Sequence, residues 1–296
     1  MERPLGEAVS DVVVELRNLG KTYVSARTGE KVEALAGIDC TVGRGEFFAV
    51  VGPSGCGKST LLSLLAGFIR ADEGEVLFEG KPVVGPGPER GVMFQDYALF
   101  PWRTVLGNVE FGPYARGVDA AERHARAHEL IALVGLQGFE RRYPHELSGG
   151  MRQRCALARM LANAPRMWLM DEPLAAVDLQ TRIILQDELL RLWGDGTADG
   201  AGGRTGNPNG DPNGNSMRPT VVFVTHGIDE AVLLADRVLV LARRPGRVKA
   251  IVEVNLPRPR AAQRNSPEMA RRVEEVWSLI RDDAARAITE ESERAA

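Results

Sequence analysis

The chain has 296 residues, 44% of them hydrophobic, enough for a substantial buried core and too apolar for a tail or fibre. Its 37 basic and 40 acidic residues leave a formal net charge of -3, which excludes a global basic field able to hold a nucleic-acid backbone. Cys40, Cys56 and Cys155 are odd in number and widely spaced, so neither a disulfide framework nor a zinc site is expected, and a reducing cytosol fits best.

The start, MERPLGEAVSDVVVELRN, has no basic segment leading into an apolar one, and no apolar run reaches the roughly eighteen residues of a membrane span. Neither a secretion signal nor a span is therefore expected. Alternation then predicts a strand, with Val12, Val14 and Leu16 on one face and Val13, Glu15 and Arg17 on the other. Phe47 to Val51 is a short apolar strand that ends at a glycine-rich turn, and Ser59 to Ala66 reads as a leucine-rich helix.

Glu75 to Phe78 and Gly91 to Phe94 read as further strands, so the sheet is expected to be largely parallel. Asp119 to Val134 and Met151 to Asn163 have helical patterns, the second stopped by Pro165, and form a helical insert. Strands return at Met167 to Met170, Val221 to Thr225 and Val238 to Leu241. Gly194 to Pro219 is rich in glycine, asparagine and proline and predicts a flexible surface loop. Its NPNG and DPNG echo lacks the spacing and terminal glutamate of a calcium loop. A last helix is expected from Pro267 to Arg281.

Chemistry concentrates in GPSGCGKST, residues 52 to 60, where Gly52, four residues, then Gly57, Lys58 and Ser59 follow a strand and open a helix. Successive backbone N–H groups of Gly52, Pro53's neighbours Ser54 and Gly55, Cys56 and Gly57 can converge on a phosphate chain, aided by the helix dipole. In this pattern Lys58 reaches the β and γ phosphates of a nucleotide, and Ser59, followed by Thr60, offers its hydroxyl to magnesium. Asp171 and Glu172 end a buried strand: Asp171 is placed to hold magnesium and Glu172 to take a proton from the attacking water. Without the phosphate loop, the same pair reads as a solvated acidic turn.

LSGGMRQRCALARMLANAP is a Leu-Ser-Gly-Gly turn opening a helix, with Ser148 as the cap and Gly149 and Gly150 leaving room for an anion. It closely resembles the signature of ABC ATPases, whose remaining elements follow in order from about Val12 to Leu241. The resemblance implies an α/β P-loop NTPase sheet core with an antiparallel β subdomain and a helical subdomain at about 96–163. These belong to an ATPase domain over 1–257 that carries the 194–219 insertion and is followed by a short charged, partly helical tail over 258–296. It implies ATP and Mg2+ as cofactors, with ATP gripped between two copies of the chain: by the phosphate loop of one and by Ser148, Gly149 and Gly150 of the other. Gln95 matches a glutamine that senses magnesium and the attacking water, His226 a histidine that contacts the γ-phosphate, and Tyr23 an aromatic that stacks on adenine. Asp178 matches the aspartate of the family's D-loop at the shared site. PLAAVDLQTR and THGIDEA depart from the family pattern around Asp178 and at Gly227, a position where aspartate is common.

QDYALFPWRTVLGNVEFG, ARRPGRV and LPRPR are similar to importer ATPases for nitrate, sulfonates and taurine. That resemblance implies a peripheral subunit on the cytoplasmic face of the cell membrane. Its partners would be a second ATPase copy, two permease subunits and, indirectly, an extracytoplasmic solute-binding protein, with no nucleic acid. Tyr97, Leu99, Phe100, Pro101 and Trp102 read either as a docking groove for the permease or as packing within the helical insert. The alternatives are an ABC ATPase acting on nucleic acid or ribosomes and a kinase or GTPase sharing only the phosphate loop. A single signature without a basic tail disfavours the first, and LSGGMRQR with His226 disfavours the second.

Overall fold

The computed structural model describes residues 12–25, 27–175, 177–195 and 218–295, with side chains as far as Arg281. In chain order the first elements are β1 (Val12–Val24), β2 (Lys31–Gly43), β3 (Phe47–Val51), α1 (Lys58–Ala66), β4 (Glu73–Phe78), β5 (Lys81–Pro82) and β6 (Arg90–Met93). Then come α2 (Val105–Ala115), α3 (Ala120–Leu133), α4 (Gly149–Leu161), β7 (Met167–Asp171) and α5 (Leu179–Trp193). The remainder is β8 (Thr220–Val224), α6 (Ile228–Leu234), β9 (Arg237–Leu241), β10 (Val248–Glu253) and α7 (Pro267–Ala295).

Two sheets form, one of four strands in the order β2-β1-β4-β5 and one of six in the order β10-β9-β3-β8-β7-β6. In the first, β1 is antiparallel to both β2 and β4. In the second, β9, β3, β8, β7 and β6 run parallel and only the edge strand β10 is antiparallel. β3 and β8 are buried at every residue, as strands covered on both faces must be. The expected α/β core with its antiparallel and helical subdomains is therefore present.

The alternation expected for Val12 to Arg17 needs correction. The register slips between Val12↔Gly43 and Val14↔Val42, so the strand bulges there and Val13 and Val14 are both buried. The helices expected at 119–134 and 151–163 appear as α3 and α4, with Asp119 and Ser148 as their caps. α2 was not legible in the sequence, because Gly107, Gly112 and Pro113 are poor helix formers. Packing forms it instead: Val105 and Val109 are fully buried, and the buried Asn108 amide bonds the backbone of Phe100, Arg103 and Thr104 at 2.8–3.2 Å.

The segment after β6 divides its apolar residues between two fates. Tyr97 is buried and Leu99 packs on the core, whereas Pro101 and Trp102 face solvent. Tyr97 and Ala98 both have left-handed φ, 62° and 44°. The Arg159 guanidinium from α4 holds that turn, donating to the Tyr97 carbonyl at 2.8 Å and the Ala98 carbonyl at 2.5 Å.

The C-terminal segment is anchored to the core from Arg258 to Ile280. Arg258 bridges Asp195 at 2.8 Å and Asp236 at 2.6 Å and lies 4.3 Å over the Trp193 ring, while Met269, Val276 and Ile280 of α7 are buried in the main core. α7 extends beyond the expected Arg281 boundary to Ala295.

The expected loop between Gly194 and Pro219 falls on residues 196–217, outside the described residues. Its flanks are fixed: Gly194 caps α5 with φ 98°, and Pro219 accepts a 2.8 Å bond from the Trp193 indole. Deleting Thr197 to Ser216 removes no predicted site residue and keeps both anchors, so ATPase activity should stay within about twofold of the parent. A larger loss of turnover would assign the segment a functional role.

Candidate active site

The parallel sheet brings the chemistry together through register alone. Val50 of β3 pairs with Val224 of β8, Val224 with Asp171 of β7, and Met170 with Met93 of β6. The segments that follow these strands, carrying residues 52–60, Glu172, Thr225 with His226, and Gln95, therefore emerge along one carboxyl edge, where α/β sheets place their ligands.

The turn after β3 depends on glycine at two close approaches. A Cβ on Gly52 would lie 2.8 Å from the Leu241 carbonyl oxygen, and one on Gly57, whose φ is 95°, would lie 2.6 Å from Leu35 and 2.8 Å from the Ala34 carbonyl. The turn thus wraps tightly over β9 and β2 before α1 begins. Lys58 opens that helix, almost buried, and its amine donates to the Gly52 carbonyl at 2.8 Å and the Pro53 carbonyl at 3.2 Å. Burial raises the Cys56 thiol above its ordinary value, which keeps it protonated and chemically quiet.

Tyr23, Ser54, Gly55, Gly57, Lys58, Ser59, Thr60, Glu172 and His226 line one open cleft of about 470 Å³, together with Ala34 and Arg244. The Tyr23 hydroxyl lies 3.5 Å from that of Thr60, so the half-exposed ring stands at the mouth beside the start of α1. Glu172 adopts a left-handed φ of 46°, a conformation that costs about 1–2 kcal/mol for a non-glycine residue. Its amide donates to the Val224 carbonyl at 2.9 Å, and its carboxylate meets the His226 ring, Oε2 to Nδ1, at 3.3 Å.

Asp171 ends β7, one residue before Glu172. Burial pushes its carboxyl above the usual range, a hydrogen bond from Ser59 opposes that, the Glu172 charge adds to the rise and the Lys58 charge offsets it. The Ser59 hydroxyl, which lines the cleft, and the Asp171 carboxylate bonded to it are thus joined hard oxygen donors, a donor set that suits magnesium.

The remaining predicted residues lie elsewhere. Gln95 is exposed just beyond β6, on the same edge but outside the cleft lining. Ser148, Gly149, Gly150 and Asp178 form a second cluster. The Ser148 side chain accepts from the Met151 amide at 3.3 Å, and Asp178 caps α5 through Thr181 at 3.0 Å. A Cβ on Gly150 would meet Thr181 at 3.1 Å, so the two helix starts abut. None of these four residues lines the cleft around Lys58. Sequence reasoning missed Arg244, whose guanidinium donates to the Gly55 carbonyl at 3.3 Å, because an arginine in RRPGR carries no local sign of what it will face.

Comparison with known proteins agrees with this geometry. The family model described as ABC transporter matches residues 35–175. An uncharacterized ABC transporter ATP-binding protein of Methanocaldococcus jannaschii is 46% identical over 277 residues, 94% of each chain. A taurine import ATP-binding protein of Burkholderia pseudomallei is 48% identical over 228 residues, 77% of this chain and 79% of that one. A nitrate import ATP-binding protein of Synechocystis is 38% identical over 275 residues, 90% of this chain and 95% of that one. Among solved structures, a dimeric ATP-binding cassette in a post-hydrolysis state with ADP and Pi matches with a TM-score of 0.66 and 29% identity, over 82% of this chain and all of that one. With the nucleotide-type loop, the acidic strand end and the histidine gathered in one cleft, the chain belongs to the ATP-binding subunits of ABC transporters and is an ATPase similar to the nitrate and taurine import subunits.

Proposed function

We propose that the chain energises uptake of a small solute, nitrate, a sulfonate, taurine or a related compound, as a peripheral subunit on the cytoplasmic face of the cell membrane. The observation that carries the reading is the cleft itself, where Glu172 and His226 stand 3.3 Å apart in the same wall-to-wall space as Lys58 and Ser59. In it Tyr23 stacks on the adenine, residues 52–60 wrap the phosphates, Glu172 accepts the proton of the attacking water and His226 contacts the γ-phosphate. Ser59 and Asp171 would hold magnesium, with Gln95 on the same carboxyl edge, and the ion would supply charge neutralisation on the phosphates. Ser148, Gly149, Gly150 and Asp178 lie outside this cleft, which supports a site completed by the same cluster of a second copy.

Residues 1–257 form the ATPase domain, with 96–163 as the helical subdomain, and 258–296 form a short charged tail. Solute does not touch this chain; two permease subunits and an extracytoplasmic binding protein handle it. Among the described residues no helix is long and apolar enough to cross a membrane. The exposed Gln95 and Trp102, 72% accessible, mark the permease-facing surface. Membrane recovery of the chain should therefore fall to background in cells lacking the permease, and unchanged recovery would contradict the assignment.

The direct test reconstitutes the chain with its permease and binding protein in lipid vesicles and scores ATP hydrolysis against a panel of nitrate, sulfonates and taurine. One of these solutes should stimulate turnover. Stimulation by nucleic acid, and by none of the solutes, would favour the non-transport reading instead.

A further inference from the structure

His226 has little of its own to hold it in place. Its side chain is 63% exposed, and the residue after it, Gly227, starts α6 without any side-chain cap. The turn is held from behind. Thr225 is 3% exposed, its amide donates to the Val50 carbonyl at 3.2 Å, and its hydroxyl accepts the Gly227 N–H at 3.0 Å. That hydroxyl then donates to Oε2 of the buried Glu230 at 2.6 Å.

The chain of bonds continues away from the cleft. Oε1 of Glu230 accepts from the Gln186 amide at 3.1 Å, and the Gln186 carbonyl oxygen accepts from Arg264 at 2.6 Å. Arg264 also pairs with Asp187 at 2.7 Å. Arginine only donates, so the Gln186 oxygen faces Arg264 and its NH2 group is left to donate to Glu230. Glu230 and Gln186 are 6% and 3% exposed, so solvent does not replace a lost partner freely. Arg264 lies in the C-terminal segment, 38 positions after His226, and none of Glu230, Gln186 and Arg264 lines the cleft.

We propose that Glu230, Gln186 and Arg264 are positioning residues for His226, through which the C-terminal segment sets the placement of the turn that brings the histidine into the cleft. The inference rests on the reading of His226 as a group of the hydrolytic site. Loss of Arg264 frees the Gln186 amide, which loosens Glu230 and with it the Thr225 hydroxyl that fixes the turn. Bound nucleotide is untouched, because no member of the relay reaches it.

The test uses the full chain with Mg-ATP. Arg264→Ala and the isosteric Glu230→Gln should each lower kcat by on the order of tenfold, less than the hundredfold that a misplacement of about 1 Å can cause. KM for ATP should hardly move, and Arg264→Lys, which keeps a donor for Gln186, should recover most of the rate. A second readout is spectroscopic: the chain has only four histidines, so imidazole NMR can follow each, with the His226 signal identified by its loss in His226→Ala. Arg264→Ala should shift that signal and leave those of His124, His128 and His145 in place. Unchanged kcat in both relay variants, or an unmoved His226 signal, would overturn the inference while leaving the active-site reading intact. Normal hydrolysis by His226→Ala would overturn both.

Discussion

Lys58→Ala will reduce ATP hydrolysis by about a hundredfold or more, the usual consequence of removing a preorganised charge from a developing phosphate charge. The amine is almost buried and already lies against the Gly52 and Pro53 carbonyls, inside the turn that the phosphates would occupy. Little rearrangement is then needed for it to meet the β and γ phosphates, so its loss acts on the transition state and on nucleotide affinity together. The variant should keep its fold, since α1 is packed through Leu61, Leu62, Leu64 and Leu65 and not through this amine. Steady-state kinetics with Mg-ATP, alongside a melting curve, reads the outcome. A correctly folded Lys58→Ala chain with normal turnover would remove the phosphate-binding role from residues 52–60.

The site was legible where function demands a local pattern. Residues 52–60 announce themselves because glycines, a lysine and a hydroxyl must sit at fixed spacing between strand and helix, and the structure puts Ser54, Gly55, Gly57, Lys58, Ser59 and Thr60 in one cleft. Glu172 and His226 were legible as strand-end residues, but their mutual approach depends on the parallel pairing of β7 with β8, which no local pattern encodes. Arg244 and the Thr225 to Arg264 relay were silent for the same reason: their partners are brought by the fold from distant segments. At the level of elements, strong periodicity found α3 and α4, whereas α2 holds two glycines and a proline and forms because its buried face is paired. The bulge in β1 could not be read from alternation, since Val13 looks equally suited to either face.

Glu172→Gln should separate binding from chemistry. The amide keeps the size of the carboxylate and can still meet the His226 ring, and Lys58, Ser59 and Asp171 remain to hold nucleotide, so affinity should change by no more than a few fold. What it loses is the ability to take a proton from the attacking water, and general-base loss of this kind costs about 10²–10⁴ in rate. The left-handed φ of 46° at this position is tolerated by glutamine much as by glutamate, so the change should not disturb the turn. Equilibrium binding of ATP and single-turnover hydrolysis, measured on the same preparation, give the two numbers independently. Hydrolysis at the parent rate would take the base role from Glu172.

That variant also shows directly whether the nucleotide site is shared between two copies of the chain. The cleft lined by Lys58, Glu172 and His226 lacks Ser148, Gly149, Gly150 and Asp178, which cluster separately around the starts of α4 and α5. If a second copy supplies that cluster across the phosphates, slow hydrolysis must prolong the dimer as well as the complex. Light scattering on Glu172→Gln should give the 32.2 kDa mass of one chain without nucleotide and twice that mass with saturating Mg-ATP. A variant saturated with ATP that still scatters as a single chain at high protein concentration would contradict the shared site.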